Sequence, residues 1–224
     1  MPSPFQRIKG LSKAIDILLI ITAPLQALGI VGLLQVRGKA RDFINGEISR
    51  REFTDATRVN VSSLSGLLVI PIAVLTIIVM YRMAQNLRAL GRHGATWAPG
   101  WSIGGWFCPP CAIYAIPWLM FRELWRGSDP TLAPNDLGWK QGPVSPLVNV
   151  WWVLFGLVPM IGFVTSAGLV TNIGSIDETE IAQRFDDFAV INVVLALVAI
   201  VTTLVYLLMM RQLTSRHMQA TREQ

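Results

Sequence analysis

The sequence predicts an all-α polytopic membrane protein, built from two helical hairpins that supply four spans and a central broken segment between them. Three observations predict it. Hydrophobic residues make up 52% of the 224-residue chain and charged residues only 15%, well below the roughly 25% charged of a soluble domain. Four apolar runs, Ile15–Leu34, Leu64–Met83, Leu147–Val170 and Phe188–Met210, reach the length of about 20 residues that a helix needs to cross a hydrocarbon core. A fifth run, Trp101–Phe121, has the length but is broken by glycine and proline. The expected organisation is one membrane domain over 1–224: a first hairpin at 11–90, the broken segment at 97–126, a loop at 127–145 and a second hairpin at 146–218.

The first run follows Arg7, Lys9 and Lys13. Its apolar core is longer than a signal-peptide h-region and no small-residue cleavage site precedes Arg37–Arg41, so it reads as a retained anchor. Asp16, one residue into that run, is expected at the interface, paired with Lys13 or a headgroup. The net charge of +5 is spread over membrane-flanking segments. It gives no basic domain for nucleic acid and fits attraction to the bilayer's anionic headgroups. Arginine far outnumbers lysine, which hints at a GC-rich bacterial genome.

The second and fourth runs are each preceded by a capping box with a hydrophobic staple. Ser49 and Glu52 form the first, with Ile48 and Phe53 as the staple. Asp177 and Glu180 form the second, with Ile176 and Ile181. Each cap is expected to open a long helix ending at an arginine, Arg82 or Arg211. The preceding spans each hold a proline, Pro24 or Pro159, expected to kink them. Two parallel hairpin repeats are the favoured account of this pattern, chance recurrence of a common cap being the alternative.

Basic residues collect on the cytoplasmic side. With five full spans and the N-terminus inside, seven basic residues fall inside and twelve outside. With four spans and a re-entrant Trp101–Phe121, twelve fall inside and seven outside. The four-span arrangement with a cytoplasmic N-terminus is favoured, five spans being the alternative. The six basic residues between Arg37 and Arg58, placed outside, count against it.

All eight tryptophans lie between Trp97 and Trp152, as in a chain that lingers at headgroup level. Pro109, Pro110 and Pro117 oppose a continuous helix, and Gly104 and Gly105 add a flexible point. Helix is expected to resume after Pro110 and to reach Trp125 as an interfacial amphipathic end. Gly100 and Gly104 form a GxxxG, a weak packing signal in this setting.

Several of these residues carry a resemblance. Pro99, Trp101, Gly104, Gly105, Trp106, Pro109, Pro117 and the run Arg122-Glu123-Leu124-Trp125-Arg126, after the basic helix end Tyr81–Gly91, resemble an actinobacterial integral-membrane family catalogued as domain of unknown function 4328. The resemblance implies a multi-pass protein of the bacterial plasma membrane without an established activity. Cys108 and Cys111 depart from the family's pattern.

Cys108-Pro-Pro-Cys111 has the spacing of a thiol couple, and a helix start just after Cys108 would lower its pKa. Relays of this kind use a second cysteine pair, and this chain has two cysteines in all; two small apolar residues in a crowded turn is the plainer reading. His93 and His217 flank different spans, so no zinc set forms. No P-loop, nucleophile elbow, metalloprotease helix or paired intramembrane carboxylate occurs, and no cofactor is expected. Gln26, Asn149, Asn192, Thr202 and Thr203 are expected to bond between helices. Arg82, Arg122, Glu123 and Arg211 form an ion-pair cluster or are solvated helix ends. The leading expectation is a non-enzymatic interaction, assembly or sensing module, with a membrane protein or a second copy as partner. A small pore or transporter at the broken segment comes second, a thiol oxidoreductase third.

Overall fold

A computed structural model describes residues 5–58, 62–107, 110–157 and 178–223. Among them every regular element is helical: α1 (Lys9–Ile44), α2 (Arg50–Arg58), α3 (Ser62–Ala89), α4 (Trp101–Gly104), α5 (Pro110–Gly127), α6 (Pro146–Trp152), α7 (Glu178–Asp187) and α8 (Ala189–Thr221). A short 3₁₀ turn lies at Trp139–Gln141, and α6 passes into a π-helical turn, Val153–Leu157.

Among the described residues three helices are long and apolar enough to cross a membrane: α1, α3 over Ser65–Ala89, and α8. Their most apolar stretches have mean hydropathies of 2.3, 2.3 and 2.7. Much of that apolar surface points away from the protein. Ile17, Leu28 and Val31 on α1, Leu67 and Ile70 on α3, and Val190 and Val194 on α8 are all at least half exposed. The run beginning at Leu147 is helical through α6 and its π turn, while 158–170, with Pro159, lies outside the described residues.

α1 lies along both α3 and α8. Polar rungs fix its antiparallel register with α8. Ser12 Oγ meets Thr214 Oγ1 at 2.8 Å, Arg211 Nε donates to Asp16 at 2.9 Å, and Thr203 Oγ1 donates to Gln26 Oε1 at 3.0 Å. At the far end Arg37 and Arg41 both donate to Asp186 Oδ1, at 2.7 and 2.8 Å. From Asp16 to Arg37 the helix rises about 32 Å at 1.5 Å per residue, close to the thickness of a hydrocarbon core. The exposed apolar side chains lie between those two ion pairs.

α3 and α8 run parallel and meet through their side chains. Thr76 Oγ1 and Tyr206 Oη are 2.6 Å apart, and Asn86 Nδ2 donates to His217 Nε2 at 3.0 Å. The separations along the chain are 130 and 131 residues, nearly that between Ser49 and Asp177.

Several expectations are corrected. The capping box is present: Ser49 N–H and Oγ–H donate to Glu52 at 2.9 Å, and Glu52 N–H returns to Ser49 Oγ at 3.4 Å. These bonds hold Glu52 below its usual carboxylate range. The cap opens α2, a strongly polar helix described to Arg58, and residues 59–61, between it and α3, lie outside the described residues. Ile48 and Phe53 do share a cluster with Ala40, and Phe53 stacks on Phe43 at 5.0 Å. Ile176 and Asp177 lie outside the described residues, as does the Ile181 side chain.

Neither long helix ends at its arginine. α3 continues to Ala89 and α8 to Thr221, because their lower turns bury Leu87, Leu213 and His217 in the protein. Pro24 sits inside α1, and Pro117 sits inside α5 rather than breaking it, as proline can where neighbouring groups satisfy the freed carbonyls. Asp16 pairs with Arg211 rather than Lys13, since α8 brings the guanidinium against it.

Candidate functional site

One end of the bundle gathers the start of α1, the ends of α3, α5 and α8, and the start of α6. Each terminus arrives there by local chemistry. α3 stops at Gly91, φ +70°, where Gly91 N–H bonds Arg88 O and Arg92 N–H bonds Leu87 O, a Schellman closure that glycine's missing Cβ permits. α8 stops in the same way at Arg222, φ 54°, with Glu223 N–H on Met218 O at 2.9 Å. That turn aims Glu223 at the start of α1, where its carboxylate accepts from Ile8 N–H and Lys9 N–H at 3.0 Å. A carboxylate there satisfies orphan donors and complements the helix dipole. Ser145 Oγ caps α6 by accepting from Leu147 N–H, with Pro146 as first helical residue, where its missing N–H costs nothing.

A buried polar hub joins these ends. Asn86 Oδ1 accepts from Gln6 N–H at 2.7 Å, so its amide nitrogen faces Gln6 O at 2.9 Å and His217 Nε2 at 3.0 Å. His217 Nε2 is therefore the acceptor, and Nδ1 carries the proton that it donates to Ser128 Oγ at 2.7 Å. Beside it the buried Arg92 donates to four carbonyls, Gly127, Ala133, Asp129 and Leu132, at 2.6 to 3.4 Å. Burial lowers the Arg92 pKa against the opposing pull of Asp136 and Asp129. Asp129 pairs with Arg216. Burial pushes its carboxyl up, but bonds from Thr131 and the charge and bond of Arg216 outweigh that and leave it low.

Among the described residues the central segment is broken at its glycines. After α4 comes a turn at Gly105, which is buried, where an added Cβ would lie 2.5 Å from Ile116 and 2.7 Å from Trp101 O. From Pro110 the described chain is helical to Gly127, two residues past the expected end at Trp125. The two ends of the segment meet: Glu123 accepts from Thr96 N–H at 2.8 Å through one oxygen and from Trp97 N–H at 3.1 Å through the other. The chain thus leaves this level at Trp97 and returns to it at Glu123, a doubling back, with an α5 arm of about 20 Å from Pro110 to Glu123.

Beneath the closure lies a cleft of about 260 Å³. Its lining includes Thr96 and Trp97 from the entering strand of chain, Arg122 and Arg126 from α5, and Trp139 and Lys140 from the 3₁₀ turn. Arg126 Nε donates to Gly142 O at 2.9 Å and Lys140 Nζ to Thr96 Oγ1 at 3.2 Å. The Arg122 guanidinium lies 4.8 Å from the Trp118 ring centre, and its buried Nε–H has no hydrogen-bond partner among the described residues.

The motif residues divide between packing and this cleft. Pro99 is buried and its carbonyl accepts from Ser102 Oγ at 2.6 Å. Trp101 meets Trp97 edge-on at 5.6 Å. Trp106 meets Phe155 edge-on at 6.2 Å, its buried Nε1–H unpartnered among the described residues. Pro117 and Leu124 are buried, and Arg216 sits over Trp125 at 5.4 Å. Gly104 is open, as is Gly100, so among the described residues their GxxxG packs against nothing. Cys108 and Pro109 lie outside the described residues, as does the side chain of Cys111. Arg82, Arg122, Glu123 and Arg211 do not form a cluster; Arg82 donates to Arg7 O at 2.6 Å, and the others take the separate partners given above. Nor do all the tryptophans stay at an interface, since Trp139 and Trp151 are almost wholly buried, Trp151 stacking on Tyr206 at 5.4 Å. Among the described residues no three His, Cys, Asp or Glu side chains converge as a metal set would.

The profile of a domain of unknown function, DUF4328, matches residues 45–215. The chain belongs to that family. No curated protein and no solved structure matches it. The matched region opens just past the end of α1 and closes within α8, so it contains the whole doubled-back segment and its cleft. Sequence reasoning reached Arg122 and Glu123 through the motif but missed Lys140, Arg92, Asn86 and the buried role of His217. The available signal for His217 was a lone histidine after an apolar run, which does not distinguish a buried residue from a solvated one.

Proposed function

We propose that the protein is an integral membrane protein of the bacterial plasma membrane, a non-enzymatic interaction, assembly or sensing module. It would have four spans, a cytoplasmic N-terminus and its central segment re-entrant from the cytoplasmic face. The observation that carries the reading is the belt of exposed apolar side chains on α1, α3 and α8, bounded by the Asp16–Arg211 and Arg37–Asp186 pairs about 32 Å apart. The Glu123 closure supports re-entry, since a full crossing would put Trp97 and Glu123 on opposite faces. The near-equal register of α3 and α8 supports two parallel repeats around an axis along the membrane normal.

The polar residues within the belt favour a structural role over a conduction path. Gln26, Thr203, Thr76 and Tyr206 bond to one another across helices, and Thr22 and Thr202 bond back to their own helices.

A C-terminal tag tests the topology: reactivity only after permeabilisation is expected, and labelling in intact cells would overturn four spans. Flux of ions or small solutes through the purified protein in liposomes would replace the module with the pore reading. A phenotype lost in the Cys108→Ser, Cys111→Ser double variant would replace it with the thiol reading.

A further inference from the structure

The cleft under the Glu123 closure has three cations and no spare acid. Arg122, Arg126 and Lys140 reach it from two elements, and its one carboxylate, Glu123, has each oxygen engaged by a backbone N–H. Among the described residues none of the three cations has a carboxylate within ion-pairing distance. Other cations of the same end do have one: Arg211 has Asp16 and Arg216 has Asp129. Arg126 keeps its terminal nitrogens beyond the Nε bond to Gly142, and the Arg122 Nε–H is buried without an acceptor. A buried donor left unmade is costly, so the Arg122 side chain gains from an acceptor that lets it reorient toward the cleft. Guanidinium forks and an ammonium around a cleft of this size fit tetrahedral phosphate oxygens. Trp97 and Trp139 flank the cleft as apolar walls, the setting in which a headgroup and its glycerol backbone would rest.

We propose that this cleft binds a phosphate group, presented by an anionic lipid headgroup or by a soluble phosphate compound. Arg122 and Lys140 hold opposite sides of the phosphate, and Arg126, fixed by Gly142, contributes its terminal nitrogens. Only the lipid source rests on the membrane reading above.

The test uses the full chain in maltoside micelles, which carry no phosphate. Phosphatidylglycerol and inorganic phosphate are titrated separately, with thermal stability and native mass spectrometry as readouts. Saturable binding of phosphatidylglycerol alone assigns the lipid source; saturable binding of inorganic phosphate alone assigns the soluble source. Arg122→Gln with Lys140→Gln is expected to weaken whichever binds by at least about tenfold, since charge-assisted bonds are lost. Lys9→Gln with Lys13→Gln, which removes two exposed charges at the same end, is expected to leave binding unchanged. If the cleft variant does not fold, Lys140→Gln alone must weaken binding in the same direction. The proposal is overturned if neither probe saturates on the wild type, or if the Lys9 and Lys13 variant loses as much as the cleft variant. A tag result that reverses the topology would leave the inorganic-phosphate titration untouched, so the two readings fail separately.

Discussion

Replacing His217 by phenylalanine tests whether the polar hub holds the end of the bundle together. The ring volume is nearly kept, so packing around α8 is little disturbed and the loss is of two nitrogens. His217, Asn86 and Ser128 are all fully buried, so water cannot replace the bonds at 3.0 and 2.7 Å. Each stranded polar group costs about 1–3 kcal/mol. Allowing about 1 kcal/mol for the more apolar ring, the net loss expected from the two stranded groups is about 1–5 kcal/mol. The assay is equilibrium unfolding in mixed micelles, followed by tryptophan emission, for which Trp151 stacked on Tyr206 is a suitable reporter. A second substitution sharpens it. With Ser128→Ala added, one stranded hydroxyl disappears, and the pair should be less destabilised than the sum of the singles by about 1–2 kcal/mol. A His217→Phe loss below that of an exposed substitution, or strict additivity with Ser128→Ala, would refute the hub.

Three further outcomes are expected. Glu123→Ala removes the acceptor for Thr96 and Trp97 N–H and should cost about 1–3 kcal/mol, with faster proteolysis between Arg92 and Trp101; unchanged proteolysis there would count against the closure. Gly91→Ala forces a Cβ onto φ +70° and to within 1.9 Å of Asn135 Oδ1, so a loss of about 1–2 kcal/mol is expected in the same unfolding assay, and a neutral result would contradict the turn. Hydrogen bonds from Arg37 and Arg41 hold the Asp186 carboxyl below its usual range. A carboxyl lowered on folding contributes stability above its unfolded pKa and loses it as pH falls through the folded value. The stability gap between wild type and Asp186→Asn should therefore be full at neutral pH and close below about pH 4; a gap that persists in acid would refute the bridge.

The long apolar helices α1, α3 and α8 and the turn at Gly105 were legible from residue order because they depend on short stretches of chain. A run such as Ile15–Leu34 is apolar whatever surrounds it, and Cys108-Pro109-Pro110 opposes a helix by its own backbone. The same holds for the Ser49–Glu52 cap, whose partners are three residues apart. Asp16 was misassigned to Lys13 because its partner, Arg211, lies 195 residues away.

The sequence by itself determined the helical class, the apolar runs and the place where the central segment must break, because hydropathy and proline chemistry act locally. Only the tertiary structure decided that this segment closes on itself at Glu123, that His217 is buried between Asn86 and Ser128, and that Arg122, Arg126 and Lys140 face one cleft. Those outcomes depend on groups far apart in the chain, which share a site only once the helices have packed.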